Sequence, residues 1–217
     1  MLAHELRNFL NSATLAYEAL RTGSVGPSGS TGAILGRSLT GMRDLVTRTL
    51  AEVRLEAGPP RSERIRLAAI LEEIEIAAMT PAANRGVGFS LEPVDPEVSV
   101  QADYQILTSI LTNLVQNACK FTHANGHVTV RTRVTADRVE IDVADECGGL
   151  PPGKAEELFR PFEQRSKDRS GLGLGLSICL RGAGAIGGDL SVRDVPGTGC
   201  VFTLGLPRVA DPIVGAS

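Results

Sequence analysis

The sequence lacks most of the features that announce a specialised environment. Its four cysteines, Cys119, Cys147, Cys179 and Cys200, include no CxxC pair, and the three histidines do not cluster with them. That spacing argues against a zinc site or a disulfide framework and fits a reducing compartment. No uninterrupted apolar run is long enough to cross a bilayer, and the amphipathic start MLAHELRNFL is not the charged-then-apolar pattern of a signal peptide. The formal net charge is only −3, so no nucleic-acid surface is advertised. What is there is a 217-residue chain, 42% hydrophobic, long enough for one or two domains with a real core and too apolar to be disordered throughout. The expectation is a soluble, cytoplasmic protein with no nucleic-acid partner and no membrane segment.

Periodicity divides the chain. Leu2, Leu6, Phe9, Ala13, Ala16 and Leu20 recur in steps of four and three, the narrow stripe of a helix that packs as a seam. The glycine-rich run TGSVGPSGSTG stops that helix and reads as a flexible loop from Thr22 to Gly32. A second stripe follows at Leu35, Leu39, Met42, Val46, Thr49 and Val53. The two segments predict a helical hairpin that leaves its apolar stripes wet unless a second copy covers them, so a four-helix bundle in a homodimer is expected. Residues 1–57 form this part, Gly58, Pro59 and Pro60 open a linker over 58–63, residues 64–208 make a mixed domain, and 209–217 a tail.

In the mixed part, strands are expected at Arg64–Leu67, Val87–Leu91, Val98–Ala102, His127–Val134, Arg138–Ala144, Leu190–Val195 and Gly199–Leu206, with the last two joined around Pro196-Gly197-Thr198-Gly199. Helices are expected at Ala68–Ala83, ending near Thr80 because of Pro81, at Asp103–Phe121 with Asp103 as N-cap, and at Leu172–Ile186. The polar, proline-containing stretch Gly149–Ser170 reads as a mobile loop. The fold class is α+β: a helical hairpin followed by an α/β sandwich with helices on one face of the sheet.

Three stretches carry chemistry. On the Asp103 helix, steps of four and three put Asn113, Asn117 and Lys120 on one face, where two carboxamide oxygens and an ammonium suit a hydrated magnesium carrying phosphates. Asp145-Glu-Cys147-Gly-Gly149-Leu ends an apolar strand, where a carboxylate can accept from an exocyclic amine such as that of adenine and glycines let backbone approach a flat ring. Gly171-Leu172-Gly173-Leu174-Gly175 runs into a helix and exposes backbone N–H groups to an anion, with Arg165, Lys167 and Arg169 just upstream. It is neither a Walker A loop nor a dinucleotide fingerprint. Taken singly, a solvated helix face and a plain turn account better for the first two stretches, and a lone glycine run is weak evidence.

In this order and spacing the three together are similar to the asparagine and glycine boxes of sensor histidine kinases, within the ATPase superfamily of gyrase and the Hsp90-type chaperones. Phe159-Arg-Pro-Phe162 resembles the family's phenylalanine box, and the ending through Pro207 its closing strands. The resemblance implies ATP and magnesium as cofactors. Asn117 would ligate the metal with Asn113 in support, and Lys120 would touch phosphate. Asp145 would take the adenine amine, Gly149 would line the base pocket, and Gly171 to Gly175 would hold the triphosphate under a lid packed by Phe159 and Phe162. Cys147 departs from the family, which has glycine there; a positive φ at that position would strain a cysteine.

His4-Glu5-Leu-Arg7-Asn8 resembles the family's phosphoacceptor box. A neutral imidazole can attack the γ-phosphoryl group while the adjacent carboxylate of Glu5 orients the ring and takes its proton. Asn8, one turn on, would orient water in the reverse hydrolysis. Phe9 stands where the family has proline, removing an expected kink. The implied function is self-phosphorylation of His4 and transfer to an aspartate of a response regulator receiver domain. The alternatives are a regulator-binding phosphatase or pseudokinase module, and an ATPase of the wider superfamily.

Overall fold

The computed structural model describes residues 2–23, 26, 29–56, 58–150, 156–159 and 175–209. Two helices open the chain, α1 (Leu2–Arg21) and α2 (Ser30–Glu56), so the connection is shorter than its glycine content suggests and Gly32 is already helical. They pack along each other, with the Phe9 ring lying over Gly41, where an added Cβ would come within 2.5 Å of ring carbons. Phe9 and Gly41 lie at similar steps from the connection, so the two helices run antiparallel. Helix α1 continues unbroken through Phe9, as the missing proline predicts. The seam keeps Ala13 and Ala16 of the expected α1 stripe but differs on α2: among the described side chains Ser38 and Leu45 are the buried ones there, while Leu39, Val46 and Val53 face outward.

Strand β1 (Glu63–Arg66) leads directly into α3 (Leu67–Asn84). The helix does not stop before Pro81 but runs one turn beyond it. Only one backbone bond is lost to the proline, and the last turn is closed by Gly86 at φ +67, with Gly86 N–H donating to Ala83 O and Val87 N–H to Ala82 O. Next come β2 (Gly88–Leu91), β3 (Ser99–Ala102) and α4 (Tyr104–Phe121). The predicted cap is in place: Asp103 accepts from the N–H groups of Gln105 and Ile106 at 3.1 and 3.2 Å. Its other oxygen takes the N–H of Arg61 at 2.9 Å.

The remaining elements are β4 (His127–Val134), β5 (Arg138–Ala144), a short 3-10 turn at Glu156–Phe159 inside the expected loop, α5 (Gly175–Ala185), β6 (Asp189–Val195) and β7 (Gly199–Pro207). One sheet has the order β2-β4-β5-β7-β6, antiparallel except for β2 with β4, and β1 pairs with β3 as a separate two-stranded ribbon. Helices α3, α4 and α5 cover the main sheet. Between the layers lie Leu107, Leu111 and Leu114 of α4 and Val128, Val130, Val139, Ile141, Val143, Leu204 and Leu206 of the sheet, none more than 1% exposed. Alternation along the strands sends these side chains inward. On the outer face, Asp142 is fully buried under Arg131, Arg133 and Thr203, all within 3.1 Å of its oxygens.

Candidate nucleotide site

The apolar face of α4 fixes where its polar edge points. Ile106, Leu107, Ile110, Leu111, Leu114, Val115 and Ala118 go into the core, which leaves Asn113, Asn117 and Lys120 half-buried along the helix edge. The Asn113 amide donates from Nδ2 to Ser109 O at 3.0 Å, one turn back, so its oxygen is the free end. That oxygen lies 3.2 Å from where a Cβ on Gly175 would stand, and Asn117 Nδ2 lies 4.0 Å from it. The first residue of α5 therefore rests against both asparagines, and a Cβ there would be tight against Asn113 and in ordinary contact with Asn117. Gly182, farther along, lets α5 sit close on Ile106 and Ile110. Lys120 Nζ stands 5.2 Å from the centroid of the Phe121 ring.

Asp145 closes β5 and is 7% exposed. Its Oδ1 accepts from Cys147 N–H at 3.1 Å and from Cys200 N–H at 3.0 Å. One carboxylate oxygen is thus held by backbone, which fixes the orientation of the other. The loop after it is pinned from β6 and β7. Gly148 N–H donates to Thr198 O at 3.0 Å and Leu150 N–H to Asp194 Oδ1 at 2.7 Å. Gly148 and Gly149 take φ +89 and +98, a region that glycine alone enters cheaply. Cys147 does not: among the described residues only Asn125 is a non-glycine with positive φ. The cysteine in place of the family's glycine is unstrained.

The Cys147 thiol meets Cys200 Sγ at 3.4 Å. Burial pushes the Cys147 thiol above its ordinary value and the neighbouring Asp145 adds to this. Cys200 is raised further, first by burial, then by its contact with Cys147 and by the charges of Asp145 and Asp194. Both are protonated and poorly nucleophilic near neutrality, which disfavours ready oxidation at Cys147.

The fold thus brings Gly175 against Asn113 and Asn117, with Lys120 farther along α4 and Asp145, Cys147 and Gly149 just past the end of β5. Phe159 is half-buried and packs on the core through the 3-10 turn. Gly171, Leu172, Gly173, Leu174 and Phe162 lie outside the described residues, as do the side chains of His4 and Glu5, whose backbone belongs to the first turn of α1. Asn8 is exposed on that helix. Three supports escaped the sequence reading. Asp194 holds Leu150, the Thr122 hydroxyl accepts from Glu146 N–H at 3.3 Å, and Glu146 Oε2 takes the N–H of His127 at 3.0 Å. Only Thr122 had a local signal, its place just past the end of α4. Among the described residues no helix is long and apolar enough to cross a membrane.

Comparison with known proteins agrees with this geometry. The family described as histidine kinase-, DNA gyrase B-, and HSP90-like ATPase matches residues 102–210. The adaptive-response sensory kinase SasA of Parasynechococcus marenigrum (strain WH8102) is 31% identical over 223 residues, spanning 95% of this chain and 55% of SasA. The chain therefore corresponds to about half the length of that relative. The nucleotide-free catalytic domain of the histidine kinase ThkA superposes with a TM-score of 0.62 at 26% identity, over 68% of this chain and 96% of that domain. ThkA in complex with the response regulator protein TrrA superposes with a TM-score of 0.65 at 21% identity over 95% of this chain and 60% of that one, a likeness of fold. With half of its length matched by the family and similar sensory kinases running along nearly all of it, the chain belongs to the histidine kinase-, DNA gyrase B-, and HSP90-like ATPases, on their sensor histidine kinase branch.

Proposed function

We propose that this chain is a kinase core that transfers the γ-phosphoryl group of ATP to His4 and passes it to an aspartate of a response regulator receiver domain. The observation that carries the reading is the seat of Gly175 against Asn113 and Asn117, in a chain that also holds a buried Asp145 past the end of β5 and bears His4-Glu5 on its first helix. The regulator of the ThkA complex supplies the model for the second partner.

In this reading Asp145 accepts the adenine amine with the oxygen its backbone donors leave over, and Gly149 and Cys147 line the base. Asn117, with Asn113, offers hard carboxamide oxygens that fit magnesium, and Lys120 touches phosphate. The ion's contribution is to neutralise charge that develops on the transferred group. Gly171 to Gly175 present backbone N–H groups to the triphosphate, Leu172 and Leu174 hold that loop, and Phe159 and Phe162 anchor the lid. Glu5 orients the His4 ring, and Asn8 serves the reverse hydrolysis. Residues 1–57 form the acceptor hairpin, a four-helix bundle when two copies pair, joined through 58–63 to the catalytic domain 64–208 and the tail 209–217.

Labelled ATP tests this. The expected product is acid-labile, base-stable label on the protein, absent from His4→Gln while nucleotide affinity is unchanged. A labelled His4→Gln protein would refute the acceptor, and an unlabelled parent that binds ATP would favour the phosphatase module. Asn117→Ala is expected to lower the labelling rate about a hundredfold or more, because a group aligned on developing charge is removed.

A further inference from the structure

The spacing of the cysteines along the chain argues against a metal site, yet the fold brings two of them, 53 positions apart, into contact beside a carboxylate. One ligand atom each from Asp145, Cys147 and Cys200 lies within 4.8 Å of the other two. We infer that these three residues form a site for a thiophilic divalent cation of the zinc type, and that an ion held there excludes the adenine base. The second half rests on Asp145 as the acceptor of the adenine amine.

The geometry is close to what such an ion requires. With zinc–sulfur bonds of about 2.3 Å, two sulfurs in a tetrahedron stand about 3.8 Å apart. Here they stand at 3.4 Å, so small rotations about the Cys147 and Cys200 side chains suffice. The carboxylate is already oriented by the N–H groups of the two cysteines themselves. One oxygen of that carboxylate is the third donor. Cys200 is 2% exposed and Asp145 7%, whereas Cys147 is half-buried, so access for an ion and for a fourth ligand is from the Cys147 side. Three protein ligands with one open position is a known zinc arrangement. Two sulfurs and one oxygen select a borderline-soft ion over magnesium, whose carboxamide donors on α4 are separate from this cluster.

Occupation would draw on the same Asp145 carboxylate that the amine needs, and would put a positive ion where a neutral ring edge must dock. Each Cys ligand gives up its proton to solvent as its bond to the metal forms, and no oxidant is involved. Contact between the two sulfurs also admits a disulfide, which would leave no thiolate ligand for the ion and is distinguished by mass.

The test uses the full chain, reduced, titrated with Co2+ as a spectroscopic stand-in. A sulfur-to-cobalt charge-transfer band and tetrahedral visible bands saturating at one equivalent are expected. Cys147→Ser and Cys200→Ser should each lose about half of the charge-transfer intensity and weaken binding at least tenfold, and Cys119→Ser should change neither. Absence of a sulfur band in the reduced parent overturns the site without any variant, so a poorly folding Cys200→Ser does not obscure the answer. A parent that is a disulfide by mass as isolated, and regains no cobalt site on reduction, also overturns it. Zn2+ is then expected to raise the dissociation constant of adenosine, which has no phosphate to sequester the ion, at least tenfold. If cobalt binds through both sulfurs but adenosine affinity does not move, the metal site stands and the exclusion of the base, with the role of Asp145 behind it, falls.

Discussion

The two parts of this chain hide their apolar residues to very different degrees. In the sheet region, α4 alone contributes three leucines with no exposed surface, opposite strands whose inward residues are equally dry. Among the described side chains of the α1–α2 pair the buried apolar residues are Ala13, Ala16 and Leu45, while Leu10, Leu15, Tyr17, Leu39, Val46 and Val53 are each roughly half exposed or more. A domain with a closed core is stable by itself, whereas a helical pair with a wide apolar face is stabilised by whatever covers that face. In the proposed reading this difference corresponds to nucleotide binding in the sheet region and pairing through the hairpin.

The sharpest way to break this contrast is a substitution in the sheet with nowhere to go. Gly199 opens β7 beneath Asp145, and an added Cβ would fall 1.7 Å from the Asp145 carbonyl oxygen, a backbone atom. Gly199→Ala must therefore push β7 away from β5 or deform the loop that carries Asp145, at a cost of about 3 kcal/mol or more. We expect a large fall in melting temperature together with loss of nucleotide affinity, read by calorimetry and by titration. An Ala variant that binds ATP as the parent does would show that the Asp145 corner is far softer than its hydrogen bonds imply.

The intermediate effect belongs to the hairpin. Leu39→Asp with Val46→Asp puts two charges on the outward face of α2 without touching the seam with α1. If a second copy covers that face, each copy loses burial worth about 1.5–3 kcal/mol per side chain, enough to convert a dimer to a monomer at micromolar concentration. Sedimentation should report the halved mass while the nucleotide affinity of the sheet domain stays within twofold. A parent that sediments as a monomer would dismiss the second copy as the cover.

Legibility in the sequence follows the same division. The cap at Asp103, the hairpin turn at Pro196-Gly197 and the alternation of β4 and β5 were readable because each depends on residues a few positions apart. Thr198 N–H to Val195 O closes that turn, with Gly197 at φ +77. Helix α3 ran past Pro81 because Gly86 and the bonds to Ala82 and Ala83 complete its last turn, a closure that propensity does not reveal. In α2 the apolar period was visible but its rotation was not, since Leu45 rather than Val46 faces α1, a choice made by the partner helix. In the candidate site, Asn113, Asn117 and Asp145 stood out by residue type. The supports Asp194 and Glu146, and the approach of Cys200 to Cys147, depend on strand register across the sheet and left no trace in local spacing.

The smallest effect is expected where the hairpin has its own tight glycine. A Cβ on Gly41 would meet the Phe9 ring at 2.5 Å, which looks as severe as the clash at Gly199. The obstacle here, however, is the end of a half-buried side chain that can rotate away, and alanine in a helix interior is favoured over glycine by about 0.5–1 kcal/mol. Gly41→Ala should therefore shift stability by less than about 1 kcal/mol, with the lost ring contact offsetting the gain in helix propensity. In a Phe9→Ala background the clash is gone, and the same substitution should stabilise by the full propensity difference, so the two changes are coupled in a double-mutant cycle. Nucleotide affinity should be untouched in all three variants. A fall in melting temperature as large as that of Gly199→Ala would mean that the hairpin is packed as rigidly as the sheet, and the contrast between the two regions would have to be abandoned.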